Sequence, residues 1–175
     1  MPKLLFLVGS LRAASSSRAV SKALIDLVGD RATCETADIG ALPHYNADVT
    51  DDPAVAALID AVGAADGVVF VTPEYNYSIP GVLKNAIDWA SRPAFDSVFK
   101  EMPCFIVTVS AGATGGIRAQ SHLKYVLNGM LARPHNDKEI LVPFANKKVV
   151  DGRFEDADIL GFAGTQLDAF LASLT

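Results

Sequence analysis

Apolar residues along the chain form two kinds of pattern, short runs and longer stretches in which they recur every three or four positions. An almost unbroken run of five or six apolar residues is typical of a strand buried on both faces, as in parallel sheets. Runs of this kind lie at residues 4–8, 67–72 and 104–109, and each stops at a glycine, proline or serine. We expect a buried parallel strand at each of the three positions.

Apolar residues at helical spacing predict helices between and after these runs. Helices are predicted at residues 20–28, 55–62, 82–90, 117–131 and 156–172. Weaker strands are predicted at residues 31–39 and 139–142. Because strands and helices alternate, we expect an α/β fold with helices on both faces of a parallel sheet. Five strands in a chain of this length favour a doubly wound, flavodoxin-like sheet of order 2-1-3-4-5.

The chain has 175 residues, of which 50% are hydrophobic and 20% are charged, and a net charge of −5. This size and composition favour a single domain over residues 1–175. No stretch approaches the ~18 consecutive apolar residues of a membrane span, and an acidic balance without a basic block argues against a nucleic-acid partner. Cys34 and Cys104 lie in apolar or β-like stretches, so we expect reduced thiols and a cytoplasmic location.

Open parallel sheets bind ligands outside the carboxyl ends of their strands, near the point where the strand order reverses. In the predicted order, that point lies among the loops after the first, third and fourth strands. These loops cover residues 9–18, 73–81 and 110–116, and all three are rich in polar or small side chains. We therefore expect the functional site where they meet.

The first loop has the composition of an anion site. It leads into a helix, whose first N–H groups are unpaired and attract a phosphate. Ser10, Ser15 and Ser17 can donate hydroxyl hydrogen bonds, and Arg12 adds a forked cation. The Walker and Gly-x-Gly-x-x-Gly patterns are missing, so a nucleoside triphosphate or dinucleotide cradle is not indicated. The same residues also fit an ordinary serine-capped helix with a solvated arginine.

The second loop is short and stiff, because Pro73 ends one strand and Pro80 suits the start of the next helix. Tyr75 and Tyr77 offer flat surfaces, and the backbone amides of residues 74–78 could meet the edge of a planar heterocycle. An aromatic loop of this kind also fits an oligomer interface, and the two interpretations are compatible.

The third loop contains only small side chains, which would let a flat ligand approach the backbone closely. It equally fits a flexible turn between strand and helix. Elsewhere His44, His122 and His135 are dispersed, and neither metal-ligand spacing nor a nucleophile elbow is present. We therefore assign no catalytic side chain and no metal, and expect a cofactor to carry any reaction.

Two segments together resemble the NADPH-dependent FMN reductase family. They are Gly9-Ser10-Leu11-Arg12-x-x-Ser15 and the run Pro-Glu-Tyr-Asn-Tyr-Ser-Ile-Pro-Gly-Val-Leu-Lys-Asn-Ala-Ile-Asp-Trp at residues 73–89. Gly115-Gly116-x-Arg118-Ala119-Gln120 is similar to a third family segment. That family has a flavodoxin-like fold and includes quinone, chromate and azo-dye reductases. The likeness runs from the first strand to at least residue 143.

The resemblance implies non-covalent FMN, NADPH or NADH as co-substrate, and a small-molecule electron acceptor such as a quinone or a flavin. It implies that the FMN phosphate is bound by Ser10, Arg12, Ser15 and Ser17. It implies that the FMN ring is bordered by Pro73, Glu74, Tyr75, Asn76, Tyr77 and Ser78, with Ser110 and Gly112 on the far side. It also implies a homodimer or homotetramer.

The sequence is also compatible with other functions. A flavodoxin-like electron carrier would bind FMN without reacting with a pyridine nucleotide, although the first loop lacks the Thr/Ser-Gly-rich pattern of flavodoxins. An FMN-binding sensor or regulatory protein would hold the cofactor with negligible turnover. A phosphate-binding protein without flavin would require the likeness at residues 73–89 to be coincidental.

Overall fold

The structure, a computed structural model, describes residues 1–136 and 138–174. The strands of its parallel sheet are β1 (Lys3–Val8), β2 (Thr33–Thr36), β3 (Gly67–Pro73), β4 (Pro103–Val109), β5 (Arg133–Pro134) and β6 (Ile140–Val142). The strand order is β2-β1-β3-β4-β5, and β6 pairs in parallel with the carboxyl end of β4. The predicted flavodoxin-like order is confirmed.

The fifth position of the sheet is divided between two short strands. β5 pairs with the start of β4 at Pro103 and Cys104, whereas β6 pairs with its end from Val107 to Val109. The strand predicted at residues 139–142 is therefore only the second half of this edge. Pro134 helps to explain the division, because a proline cannot donate a hydrogen bond to the ladder.

Five helices cover the two faces of the sheet. They are α1 (Ser16–Val28), α2 (Pro53–Gly63), α3 (Gly81–Ala90), α4 (Ile117–Gly129) and α5 (Ala157–Ala172). Side chains of α1 and α5 share one apolar cluster with the sheet, and those of α2, α3 and α4 share the other. The helix predictions are confirmed to within a few residues at each end.

The strand side chains alternate between the two apolar clusters. In β1, Leu4 and Phe6 face the layer of α1 and α5, whereas Leu5 and Leu7 face the layer of α2, α3 and α4. Each is fully buried, and a buried side chain of this size contributes about 1.5–3 kcal/mol. Burial on both faces is why the strand sequences are apolar without alternation.

The structure also contains a small antiparallel hairpin that the sequence analysis missed. It is formed by β7 (Val149–Val150) and β8 (Arg153–Phe154). Asp151 and Gly152 connect the two strands, both with positive φ angles, as a two-residue hairpin turn requires.

Both cysteines are free thiols, as expected, and burial raises the pKa of each. Cys104 is fully buried, and a protonated, buried thiol is a poor nucleophile. No described helix is both long and apolar enough to cross a membrane. Within residues 1–136 and 138–174, no group of three His, Cys, Asp or Glu residues is arranged to hold a metal.

Candidate active site

The loops that follow β1, β3 and β4 enclose a cleft of about 270 Å³. These strands are neighbours in the sheet, so their carboxyl ends meet at one edge. The cleft is lined by Ser10, Arg12, Ser15, Ser16, Ser17, Pro73, Glu74, Tyr75, Val109, Ser110, Ala111, Ala145 and Asn146. The structure thus brings together all the predicted site residues except Asn76, Tyr77, Ser78 and Gly112, which lie in the same loops but do not line the cleft.

The first loop turns sharply at Gly9. The Gly9 N–H donates to the Val71 carbonyl at 2.9 Å, which extends the strand pairing one residue beyond β1. A Cβ atom at Gly9 would lie 2.2 Å from Thr72 Oγ1, so only glycine fits between the two strands here. This close approach fixes where the following serines enter the cleft.

The start of α1 offers several hydrogen-bond donors to the cleft. Ser15 is the N-cap residue, and its Oγ accepts the Arg18 N–H at 3.1 Å, which leaves its hydroxyl hydrogen available. The N–H groups of Ser16 and Ser17 have no partner among the described residues. The guanidinium of Arg12 is exposed at the rim. Free first-turn amides, hydroxyls and a cation together form a site for a phosphate.

The second loop contains a tight turn at residues 75–78. The N–H groups of Tyr75 and Ser78 donate to each other's carbonyls at 2.9 and 3.0 Å, and Asn76 and Tyr77 have φ angles of 49° and 66°. Two successive positive φ angles define a type I′ turn. The Glu74 N–H also has a partner, the Val109 carbonyl at 3.2 Å.

This turn corrects one expectation from the sequence. The amides of residues 74–78 are not all available to a ligand, because those of Glu74, Tyr75 and Ser78 are satisfied within the protein. The amides of Asn76 and Tyr77 have no partner in the described part of the chain. A type I′ turn leaves its two central N–H groups outside its own hydrogen bonds, which is the physical reason for the difference.

The side chains of this loop are attached to α4. The Glu74 carboxylate, 9% exposed, accepts the N–H groups of Arg118 at 3.0 Å and Ala119 at 3.4 Å. Ser78 Oγ lies 3.0 Å from Nδ1 of His122. Glu74 lines the cleft, but its carboxylate is directed to the start of the helix.

The third loop is shaped by its glycines. Gly115 and Gly116 have φ angles of +63° and +90°, and added Cβ atoms would lie 2.8 Å from Leu141 Cβ and 2.9 Å from Thr108 Cβ. The loop is therefore packed against β4 and β6. Ser110 Oγ accepts the Gly112 N–H at 3.1 Å, which curves the backbone at the floor of the cleft.

Two features near the site escaped the sequence analysis. Asn146 reaches the cleft because β6 lies beside β4, and no sequence pattern marked it. Asn85 and Trp89 lie within the run at residues 73–89 that resembles the family. Their side chains donate to the Pro43 carbonyl at 2.9 and 2.8 Å, and these bonds hold the loop between β2 and α2 against α3. Their place in the run at residues 73–89 was the sequence feature that could have identified them.

The cleft can bind and orient a ligand but offers little chemistry of its own. Among the residues that line it, only Arg12 and Glu74 are charged, and the Glu74 carboxylate is already engaged. No histidine or cysteine lines it, so no nucleophile is paired with a base there. An enzyme with such a site relies on a bound cofactor.

Proteins of similar sequence are named as FMN reductases or quinone reductases. Residues 2–147 match the family model of the NADPH-dependent FMN reductases. An NAD(P)H-dependent FMN reductase of Pseudomonas aeruginosa is 42% identical, over 95% of this chain and 92% of its own. A quinone reductase of Escherichia coli K12 is 40% identical, over 94% and 90% of the two chains.

Solved structures of oxidoreductases are similar to this chain as well. A flavoenzyme NAD(P)H:(acceptor) oxidoreductase from Paracoccus denitrificans has a TM-score of 0.88 at 33% identity and covers 99% of this chain and 97% of its own. An FMN-dependent NADH-azoreductase of Bacillus anthracis, at 14% identity and a TM-score of 0.64, supports the fold alone. The protein is an oxidoreductase that uses FMN with NAD(P)H as co-substrate. The chain belongs to the NADPH-dependent FMN reductase family.

Proposed function

We propose that the cleft between the three loops is the FMN site, and that a small planar acceptor, of which a quinone is the leading candidate, takes the electrons. The observation that carries this proposal is that the amides of Ser16 and Ser17, which have no partner within residues 1–136 and 138–174, line the same cleft as Arg12. FMN carries a phosphate that is nearly a dianion, and this donor set suits it.

The remainder of the cleft suits a flat ring system. It is lined by Pro73, Tyr75, Ser110 and Ala111, and the small side chains of Ser110 and Ala111 let a ring lie close to the backbone. Tyr75 is half exposed, so this end of the cleft opens to solvent. An open face gives a nicotinamide and then an acceptor access to the same ring.

Bound FMN supplies the hydride acceptor for NAD(P)H and the two-electron donor for the second substrate. The protein holds the phosphate through Arg12 and the start of α1. The N–H groups of Asn76 and Tyr77, which have no partner among the described residues, follow directly after the cleft-lining Tyr75 and would stabilise negative charge as it develops on the ring. Fixed amide dipoles do this without reorganising during the reaction.

The acceptor is inferred from the relatives. Several are named quinone reductases, and a relative from a Burkholderia species, 38% identical over 97% of this chain, is named a 2-hydroxy-1,4-benzoquinone reductase. A quinone is flat and uncharged, and the carboxylate among the residues that line the cleft, that of Glu74, is engaged by α4. We also propose a cytoplasmic homodimer or homotetramer of single-domain subunits that does not bind nucleic acid.

A titration of the isotopically labelled protein with FMN, followed by backbone NMR, tests the site. We expect the amide shifts to concentrate in residues 9–18, 73–81 and 110–116. A larger groove, about 830 Å³, lies between α1 and the β7–β8 hairpin and includes Lys22 and Arg153. Shifts confined to that groove would contradict the proposal, since it does not border the carboxyl ends of the central strands.

A further inference from the structure

The loop after β3 is attached to α4 by side chains that are directed to the helix. Three donors converge on Glu74: the N–H groups of Arg118 and Ala119 at 3.0 and 3.4 Å, and the Arg118 guanidinium at 3.3 Å. The Arg118 guanidinium also lies 4.4 Å from the centre of the Tyr77 ring. Ser78 Oγ contacts His122, one turn further along the helix.

The start of α4 needs this carboxylate. Its N-cap residue is Gly116, which has no side chain to accept the unpaired N–H groups of the first turn. Glu74 supplies the missing acceptor from a loop 44 residues away in sequence. A negative charge at this position also interacts favourably with the helix dipole.

The turn that Glu74 precedes is conformationally demanding. Asn76 tolerates a left-handed backbone, but Tyr77 does so at a cost, and the surrounding contacts must hold it there. Those contacts come from α4, at Tyr77 through Arg118 and at Ser78 through His122. Glu74 fixes the position of the whole turn relative to the helix.

Given the FMN site proposed above, we propose that Glu74 is a positioning residue that sets the reduction potential of the bound flavin. It does so by fixing the turn that begins at the cleft-lining Tyr75 and carries the N–H groups of Asn76 and Tyr77, which have no partner among the described residues. A fixed N–H donor binds the reduced, more negative ring more strongly than the oxidised ring. Loosening the turn therefore weakens binding of reduced FMN more than binding of oxidised FMN.

The test variant is Glu74→Gln, which keeps the shape of the side chain but removes its charge. We expect reduced FMN to lose about tenfold more affinity than oxidised FMN, which corresponds to a potential about 30 mV more negative for a two-electron couple. The matched control is Glu139→Gln, which removes a carboxylate paired with Lys124 of the same helix at 2.8 Å but outside the cleft. Its potential should equal that of the wild type.

The sign of the shift separates positioning from a direct charge effect. Removing a nearby negative charge without moving the turn would make the potential more positive, and that result would overturn the proposal. An unchanged potential would overturn it as well.

A second measurement needs no flavin. In the protein without FMN, the Tyr75 and Ser78 amides should exchange with deuterium faster in Glu74→Gln than in the wild type or in Glu139→Gln. Equal exchange rates would contradict the positioning role. If the wild type itself failed to bind FMN, the proposed site would be wrong, whereas normal binding with an unaltered potential in Glu74→Gln would reject only the role of Glu74.

Discussion

Arg12 is the side chain on which the charge of the cleft depends. Glu74, the other charged residue that lines the cleft, directs its carboxylate to α4 and is neutralised there. Arg12 forms no ion pair in the described ranges, and the hydroxyls of Ser10, Ser15 and Ser17 line the cleft beside it. The phosphate end of the cleft therefore has a net positive potential.

Replacing this arginine should weaken cofactor binding. A charge-assisted hydrogen bond contributes about 1.5–3 kcal/mol, so Arg12→Ala should raise the FMN dissociation constant roughly ten- to a hundred-fold. Quenching of FMN fluorescence measures this constant directly. Arg153→Ala, which removes an exposed arginine of the β7–β8 hairpin, should leave it unchanged. Equal affinities for Arg12→Ala and the wild type would remove Arg12 from the phosphate site.

Gly9 should be intolerant of even one methyl group. An alanine Cβ there would overlap Thr72 Oγ1 at 2.2 Å, and overpacking of this kind costs about 1–3 kcal/mol. Gly161→Ala is the matched control, because Gly161 lies in α5 with nothing within 4 Å of an added Cβ. We expect that variant to be more stable than the wild type by about 0.4–1 kcal/mol. If urea unfolding showed that both substitutions change the free energy of unfolding in the same direction, the conclusion that Gly9 has no room for a methyl group would be wrong.

Among the elements, α5 shows how a charged cap couples a helix to its neighbour. Asp156 is the N-cap residue, and its carboxylate accepts the Ile159 N–H at 2.9 Å and pairs with Lys148 at 2.6 Å. Lys148 immediately precedes β7, so one carboxylate ties the hairpin to the helix. The hydrogen bonds from Lys148 and Ile159 lower the pKa of Asp156.

This pKa shift gives a pH dependence with a defined sign. A lowered folded-state pKa stabilises the protein at pH values above the unfolded pKa of about 3.9, and the contribution disappears as the pH falls through the folded value. Asp156→Asn keeps the cap but loses the charge, so the wild type should be more stable by up to about 1 kcal/mol at neutral pH. The two unfolding free energies should converge in acid. If the difference in unfolding free energy between the wild type and Asp156→Asn did not change with pH, the charge of Asp156 would not be its cause.

Sequence patterns predicted the central strands closely and the peripheral ones poorly. β1 and β4 are buried on both faces, so their sequences must be apolar throughout, and such runs are unambiguous. β5, β7 and β8 have two residues each, too few to show any period. The hairpin could be predicted only from its turn residues, because Asp151 and Gly152 form a dipeptide that two-residue hairpin turns favour.

At the scale of the whole molecule, the order of the strands determines which loops meet, and the sequence was sufficient to predict that order and so to locate the cleft. The sequence did not predict which element each loop side chain contacts. Glu74 and Ser78 belong to the predicted loop, yet each contacts a residue of α4 that lies 44 positions later in the sequence. Asn146 depends on the pairing of β6 with β4, a contact that local sequence does not encode.

Two exposed tyrosines, one in the loop after β3 and one on α4, support the oligomer proposal. Tyr77 and Tyr125 are 65% and 82% exposed, and Tyr125 lies on the same face of α4 as Arg118, which contacts Tyr77. Sedimentation equilibrium should give two or four times the monomer mass of 18.5 kDa. Tyr125→Glu should lower that mass, while Phe162→Glu on α5 should not. A wild-type mass of one chain would exclude the oligomer.

The visible absorption spectrum of the protein reconstituted with FMN tests the account most directly. The spectrum is recorded without oxygen, first alone, then after NADPH, and finally after a benzoquinone. We predict that the flavin bands bleach on addition of NADPH and return with the quinone, and that Arg12→Ala needs more FMN to give the same signal. Flavin that stays bound but does not bleach would indicate an electron carrier. A protein that stays colourless would contradict the FMN site.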